Sequence, residues 1–154
     1  TQDRSSAASD VYKRQVIEGG LVFATNFQGN LTAFDPSQRR AVWSTDASSF
    51  HSPLIIKGLI IVLNNDGSII SFSGQTLSES WTNEEYLRRG LSNATEHDGN
   101  VVFGDIEGYL HVINPLTGRT VGREKISGNP IRYVSSRGNQ LFALDSELRM
   151  FALN

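Results

Sequence analysis

The residues best placed to do chemistry lie in one stretch, GNVVFGDIEGYLHVINPLTG at residues 99–118, which holds Asp105, Glu107 and His111 within seven positions. Two carboxylates and an imidazole this close could serve general acid–base work or contribute to a metal site. The pattern argues for the quieter reading. His111 alternates with Leu110 and Val112, which puts it on one face of a strand as a hydrogen-bonded sheet histidine. Asp105 and Asp66-Gly67 sit in turns, where a side-chain oxygen bonding the turn backbone explains them more simply than calcium does. His51 and His97 stand far off in the chain with no i+4 partner, so no zinc spacing is present. Ser49, Ser52 and Ser73 lie in polar connections without the GxSxG elbow of a serine nucleophile. With zero cysteines, thiolate chemistry and disulfides are absent, and the redox compartment is left open. No catalytic, cofactor-binding or metal-binding residue is therefore assigned, and no cofactor is expected.

The elements that would carry these residues form a repeat. Gly20, Gly58, Gly99 and Gly138 each precede a short apolar run, at spacings of 38, 41 and 39 residues. A second glycine follows nine positions later at Gly29, Gly67 and Gly108, whereas the fourth unit has Glu147 there and one extra residue, which predicts a different turn. Runs of four or five residues rich in Val, Ile, Leu and Phe, punctuated by Gly, Asn, Asp and Pro, read as strands rather than helices. A period near 40 built only of strands points to propeller blades, each too thin to bury its own faces. The expected fold is all-β: about four blades of four antiparallel strands, forming an incomplete half ring.

The second unit predicts strands over 53–56, 59–63, 68–72 and 79–82, and the third over 94–97, 101–104, 109–113 and 120–124. The first unit has only residues 16–18 for an innermost strand, which is not convincing, and the fourth has no outermost strand. The one helical candidate is NEEYLRR at 83–89, where Glu84 and Glu85 precede Arg88 and Arg89 by four positions. Trp43 and Trp81 fall at matching places, with Gly122 in the third unit, and tryptophans there are expected to pack between blades. Residues 1–15 share nothing with the repeats and read as a non-native or disordered leader. That leaves a partial propeller over 16–154, with repeats at about 16–48, 52–84, 91–126 and 129–154, expected to be the C-terminal half of a larger ring.

Composition narrows the function. A net charge of −2 offers no basic face for nucleic acid. The longest apolar runs, 54–56 and 59–63, fall far short of the ~18 residues of a spanning helix.

The order of glycine, apolar run, Asp or Asn, turn and tryptophan resembles the repeat of pyrroloquinoline-quinone-type propellers. GNLTAFD at 29–35 with Trp43, and VVFGDIEGYLHVIN at 101–114 followed by Gly118-Arg119, resemble the BamB family of outer-membrane assembly lipoproteins. That resemblance implies a non-enzymatic scaffold on the periplasmic side of the outer membrane of a Gram-negative bacterium, binding the periplasmic domains of BamA and assisting barrel insertion. Unfolded outer-membrane proteins are a further implied partner. The family's membrane contact is through a lipidated cysteine, which this chain lacks, and no partner-contacting residue carries over to it. Two alternatives are a fragment of a quinoprotein dehydrogenase and a generic ligand-binding propeller module.

Overall fold

The computed structural model describes residues 15–26 and 29–154. The expected leader falls on residues that lie, apart from Gln15, outside the described ones. Among the described residues, fifteen strands form four separate antiparallel sheets, three of four strands and one of three. The first blade comprises β1 (Gln15–Glu18), β2 (Leu21–Thr25), β3 (Asn30–Asp35) and β4 (Arg40–Asp46). The second comprises β5 (Leu54–Ile56), β6 (Leu59–Leu63), β7 (Ile69–Ser73) and β8 (Glu79–Asn83). The third has β9 (Ala94–His97), β10 (Asn100–Gly104), β11 (Tyr109–Ile113) and β12 (Thr120–Lys125), and the fourth β13 (Ile131–Arg137), β14 (Gln140–Asp145) and β15 (Met150–Leu153). Each sheet runs in chain order, and consecutive innermost strands β1, β5, β9 and β13 lie beside one another. This is a β-propeller arc, with no ladder joining the first blade to the fourth among the described residues.

The cores lie between the blades. Phe23, Leu31 and Ala33 of the first blade pack on Ile60, Val62 and Phe72 of the second. Ile61, Leu63 and Ile69 meet Val101, Phe103 and Ile113 across the next interface. Val102 and Leu110 meet Ile131, Val134 and Leu141 across the last. Strand alternation supplies both faces of a blade to different neighbours, which is why β6 and β10 read as nearly continuous apolar runs. Phe103 is wholly buried, and its truncation to alanine should cost about 3–5 kcal/mol.

The expected tryptophan packing is present. Trp81 donates from Nε1 to the Pro115 carbonyl at 2.8 Å and lies so close to Gly118 that a Cβ there would sit 2.4 Å from its ring. Trp43 meets Phe72 of the next blade edge-on at 5.3 Å. Gly122 occupies the same register on β12, and beside it a cavity of about 260 Å³, lined in part by Val112, Leu141 and Leu153, opens between the third and fourth blades.

Three expectations are corrected. The first unit does have an innermost strand, since β1 pairs with β2 along its whole length. Residues 83–89 are not helical: Asn83 ends β8 and accepts the Glu85 N–H, the bonds Leu87 N–H to Glu84 O and Arg89 N–H to Tyr86 O are i+3 turns, and Arg88 has φ of 64°. Burial of Tyr86 between blades, against Phe103 at 4.9 Å, outweighs the weak helical pairing.

The third correction concerns the fourth-unit turn, which matches the others. Asp145 N–H bonds Arg149 O and Leu148 N–H bonds Asp145 O, as Asp105, Gly108 and Tyr109 do in the third blade. Leu148, not Glu147, takes the glycine's place, with φ of 61°. At Gly67 and Gly108 a Cβ would lie 2.1 Å from Tyr86 O and 2.0 Å from Ser127 O, because the connection to the next blade crosses there. No such crossing covers Leu148 among the described residues, and it is 80% exposed.

Candidate functional site

Antiparallel order brings the inter-blade connections and the turns between second and third strands to one end of the arc. Their backbones interlock there: Asn65 N–H bonds Ser48 O, Ile106 N–H bonds Arg89 O, and Ser146 N–H bonds Pro130 O. The third blade builds the most chemically varied cluster at this end. Asp105, at the β10–β11 turn, is fully shielded from solvent. Its Oδ1 accepts the Glu107 and Tyr109 N–H groups, and its Oδ2 accepts Arg89 Nε at 2.8 Å and His111 Nε2 at 2.7 Å. Arg89 comes from the β8–β9 connection and also bonds Glu107 at 2.8 Å.

Burial pushes the Asp105 carboxyl upward, but hydrogen bonds from His111, the Tyr109 backbone and Arg89 outweigh it and hold it below its ordinary 3.8. His111 is pushed below 6.5 by burial, against the upward pull of its bond to Asp105. The pair is therefore a carboxylate and a neutral imidazole. A carboxylate only accepts, so the ring proton sits on Nε2 and Nδ1 is a bare acceptor. No protein group pairs with that buried Nδ1. The expected satisfied sheet histidine is thus satisfied on one nitrogen only.

His111 is in register with Phe103 on β10 and Arg123 on β12, and a hollow of about 220 Å³ opens over this row. Glu85, Tyr86, Arg89, Thr120 and Arg123 complete its lining. Thr120 donates to Glu85 at 2.8 Å and accepts from the Tyr86 hydroxyl. Burial raises the Tyr86 phenol above its ordinary 10.0, so it stays a donor. Arg123 stacks over the Tyr109 ring at 4.9 Å and Lys125 approaches the same ring at 5.3 Å.

The fourth blade repeats the buried carboxylate. Asp145 takes the place of Asp105, with Oδ1 accepting the Glu147 and Arg149 N–H groups and Oδ2 accepting Ser127 Oγ at 2.7 Å and Arg149 Nε at 2.9 Å. Burial raises its carboxyl, but the Ser127 and Arg149 bonds bring it down to about 2. Asn26 and Asn64 hold the same position in the first two blades. Between those blades the corresponding hollow of about 460 Å³ is lined by Asp46, Asp66 and Asn64 with no cation.

Other residues weighed from the sequence make contacts within turns and across blade junctions. His51 Nε2 contacts Leu91 O at 3.3 Å and His97 Nδ1 contacts Ser136 Oγ at 2.8 Å, each across a blade junction. Ser49 Oγ accepts the His51 backbone N–H, Ser73 Oγ accepts those of Gln75 and Thr76, and Asp66 Oδ1 accepts the Ser68 N–H and hydroxyl. Among the described residues no three His, Asp or Glu side chains gather as a metal ion requires. Tyr86, Arg89, Thr120 and Arg123 were not legible as a group, because they come from separate elements. Their only sequence signal is the insertion that lengthens the second spacing to 41 and carries Tyr86 and Arg89.

Residues 5–147 match the family model described as outer membrane protein assembly factor BamB. The chain belongs to the BamB family. BamB of Pseudomonas aeruginosa is 31% identical over 138 residues, 83% of this chain and 36% of that protein. BamB of Escherichia coli K12 is 33% identical over 124 residues, 79% of this chain and 31% of its own length. The chain thus spans about a third of the curated BamB relatives it matches. The crystal structure of Moraxella catarrhalis BamB superposes with a TM-score of 0.82 at 22% identity, covering 90% of this chain and 41% of that one. The computationally designed Ika4 protein does so at 0.78 and 12% identity, covering 92% and 89%, so a chain of this length can form the arrangement in another sequence.

Proposed function

We propose that the chain acts in the outer-membrane assembly machinery as a non-enzymatic docking module, binding the periplasmic domains of BamA and assisting barrel insertion. The observation that carries this reading is the BamB family match, which runs from the first blade into the fourth. The site chemistry agrees with it. Asp105 and Arg89 are matched to each other, and His111 is neutral and held by Asp105. In this reading the working location is the periplasmic side of the outer membrane, with a lipid anchor carried by the family's whole protein.

Titration calorimetry of the purified chain with the periplasmic domains of BamA tests the role. Saturable binding near one to one is expected. Absence of heat, together with separate elution of the two on a sizing column, would overturn it.

A further inference from the structure

The hollow over the Phe103–His111–Arg123 row carries unspent recognition chemistry of two kinds. One is a buried acceptor: His111 Nδ1 has no protein donor, and leaving such an atom unmet is costly. The other is a free cation. Arg89 is matched by Asp105 and Glu107, but neither Arg123 nor Lys125 has a carboxylate within ion-pair reach among the described residues. Stacking over Tyr109 fixes the Arg123 guanidinium while leaving its edge N–H groups for a planar anion.

We propose that this hollow binds a short acidic segment of a partner polypeptide, with an Asp or Glu carboxylate on the Arg123 guanidinium and the adjoining backbone against His111 and Glu85. Glu85 is an acceptor on the wall, so it favours a ligand that brings N–H donors along with its negative charge. A peptide has both, whereas a lipid phosphate or nucleic-acid backbone has only the charge. The volume suits one side chain and its adjoining backbone. The site lies between the connection that follows the second blade and the two outer strands of the third.

The source of the peptide rests on the docking role proposed above, but the site is testable without it. Imidazole nitrogen resonances of the chain would be followed by NMR at neutral pH while acetyl-Gly-Glu-Gly-amide is added, then acetyl-Gly-Gln-Gly-amide, then inorganic phosphate. The glutamate peptide is expected to move His111 Nδ1 saturably. The glutamine peptide and Arg123→Gln should each weaken this about tenfold, with Lys125→Gln giving a smaller loss. Arg123 is exposed, so an unchanged amide spectrum of the variant would show that the fold is intact. Failure of the glutamate peptide to move Nδ1, equal binding of both peptides, or indifference to Arg123→Gln would overturn the site. Phosphate moving Nδ1 as strongly as the peptide would overturn the peptide assignment in favour of an anionic headgroup or free phosphate. Peptide binding without BamA binding would count against the docking role alone, and BamA binding unaffected by Arg123→Gln with no peptide binding would count against the site alone.

Discussion

Asp105 and Asp145 show how one buried carboxylate can serve two blades with different partners. Each organises a turn through two backbone N–H groups and ties it to neighbouring chain through Oδ2. Both are held below 3.8, so the fold prefers the charged form. Their stabilisation is complete above the unfolded pKa and is lost as pH falls through the folded one, from 3.8 to about 2 for Asp145. His111 runs the other way in charge but the same way in pH. Burial favours its neutral form, so its contribution is full above 6.5 and declines below that, down through its lowered folded value. Urea midpoints measured against pH should therefore fall in two stages, the first below 6.5 and the second between 3.8 and about 2. Asp145→Asn should lower the midpoint at neutral pH and shrink the second stage.

The turn glycines give a paired test at the same scale. Leu148→Gly relieves a left-handed leucine whose side chain is already in solvent, and should stabilise the chain by about 0.5–1 kcal/mol. Gly108→Ala would drive a Cβ into the Ser127 carbonyl and should cost about 3 kcal/mol or more, read from the shift in thermal midpoint. The extra residue in the fourth unit disguised Asp145 as unrelated to Asp105, since counting nine positions from Gly138 lands on Glu147. Counting back from the left-handed residue would have aligned all four turns.

At the scale of elements, strands of the second and third blades were legible to within about a residue, because paired glycines fix each hairpin and short apolar runs mark the strands beside them. What escaped were the segments whose structure is set from outside. β1 is a strand because β2 pairs with it, and 83–89 is a folded connection because Tyr86 is taken into the core and Arg89 is drawn to Asp105. The site was half legible for the same reason: Asp105 and His111 share a hairpin, whereas Arg89, Thr120 and Arg123 reach them only through the fold. The tryptophan register also carries a prediction. Gly122→Trp would place an indole in the cavity between the third and fourth blades, as Trp81 fills the preceding junction, and should raise stability by about 1–2 kcal/mol in chemical denaturation.

At the scale of the whole molecule, the described residues form an open arc with an apolar face at each end. Ile17, Val22 and Phe34 share one face of the first blade, and Tyr133, Phe142, Leu144 and Met150 share the far face of the fourth. Ile17 and Met150 are both 70% exposed, and among the described residues no strand pairs with the outer edge of β15. The isolated chain should therefore self-associate as concentration rises, and Ile17→Lys with Met150→Lys should shift its light-scattering mass toward the monomer. Docking should use a different surface, the end where the inter-blade connections and the Asp105 turn come together. Hydrogen exchange of the chain with and without the periplasmic domains of BamA tests that most directly. Slowed exchange over residues 84–93 and 105–108 is the expected result. No protection anywhere, or protection confined to the opposite-end turns at 19–20, 57–58 and 98–99, would contradict it.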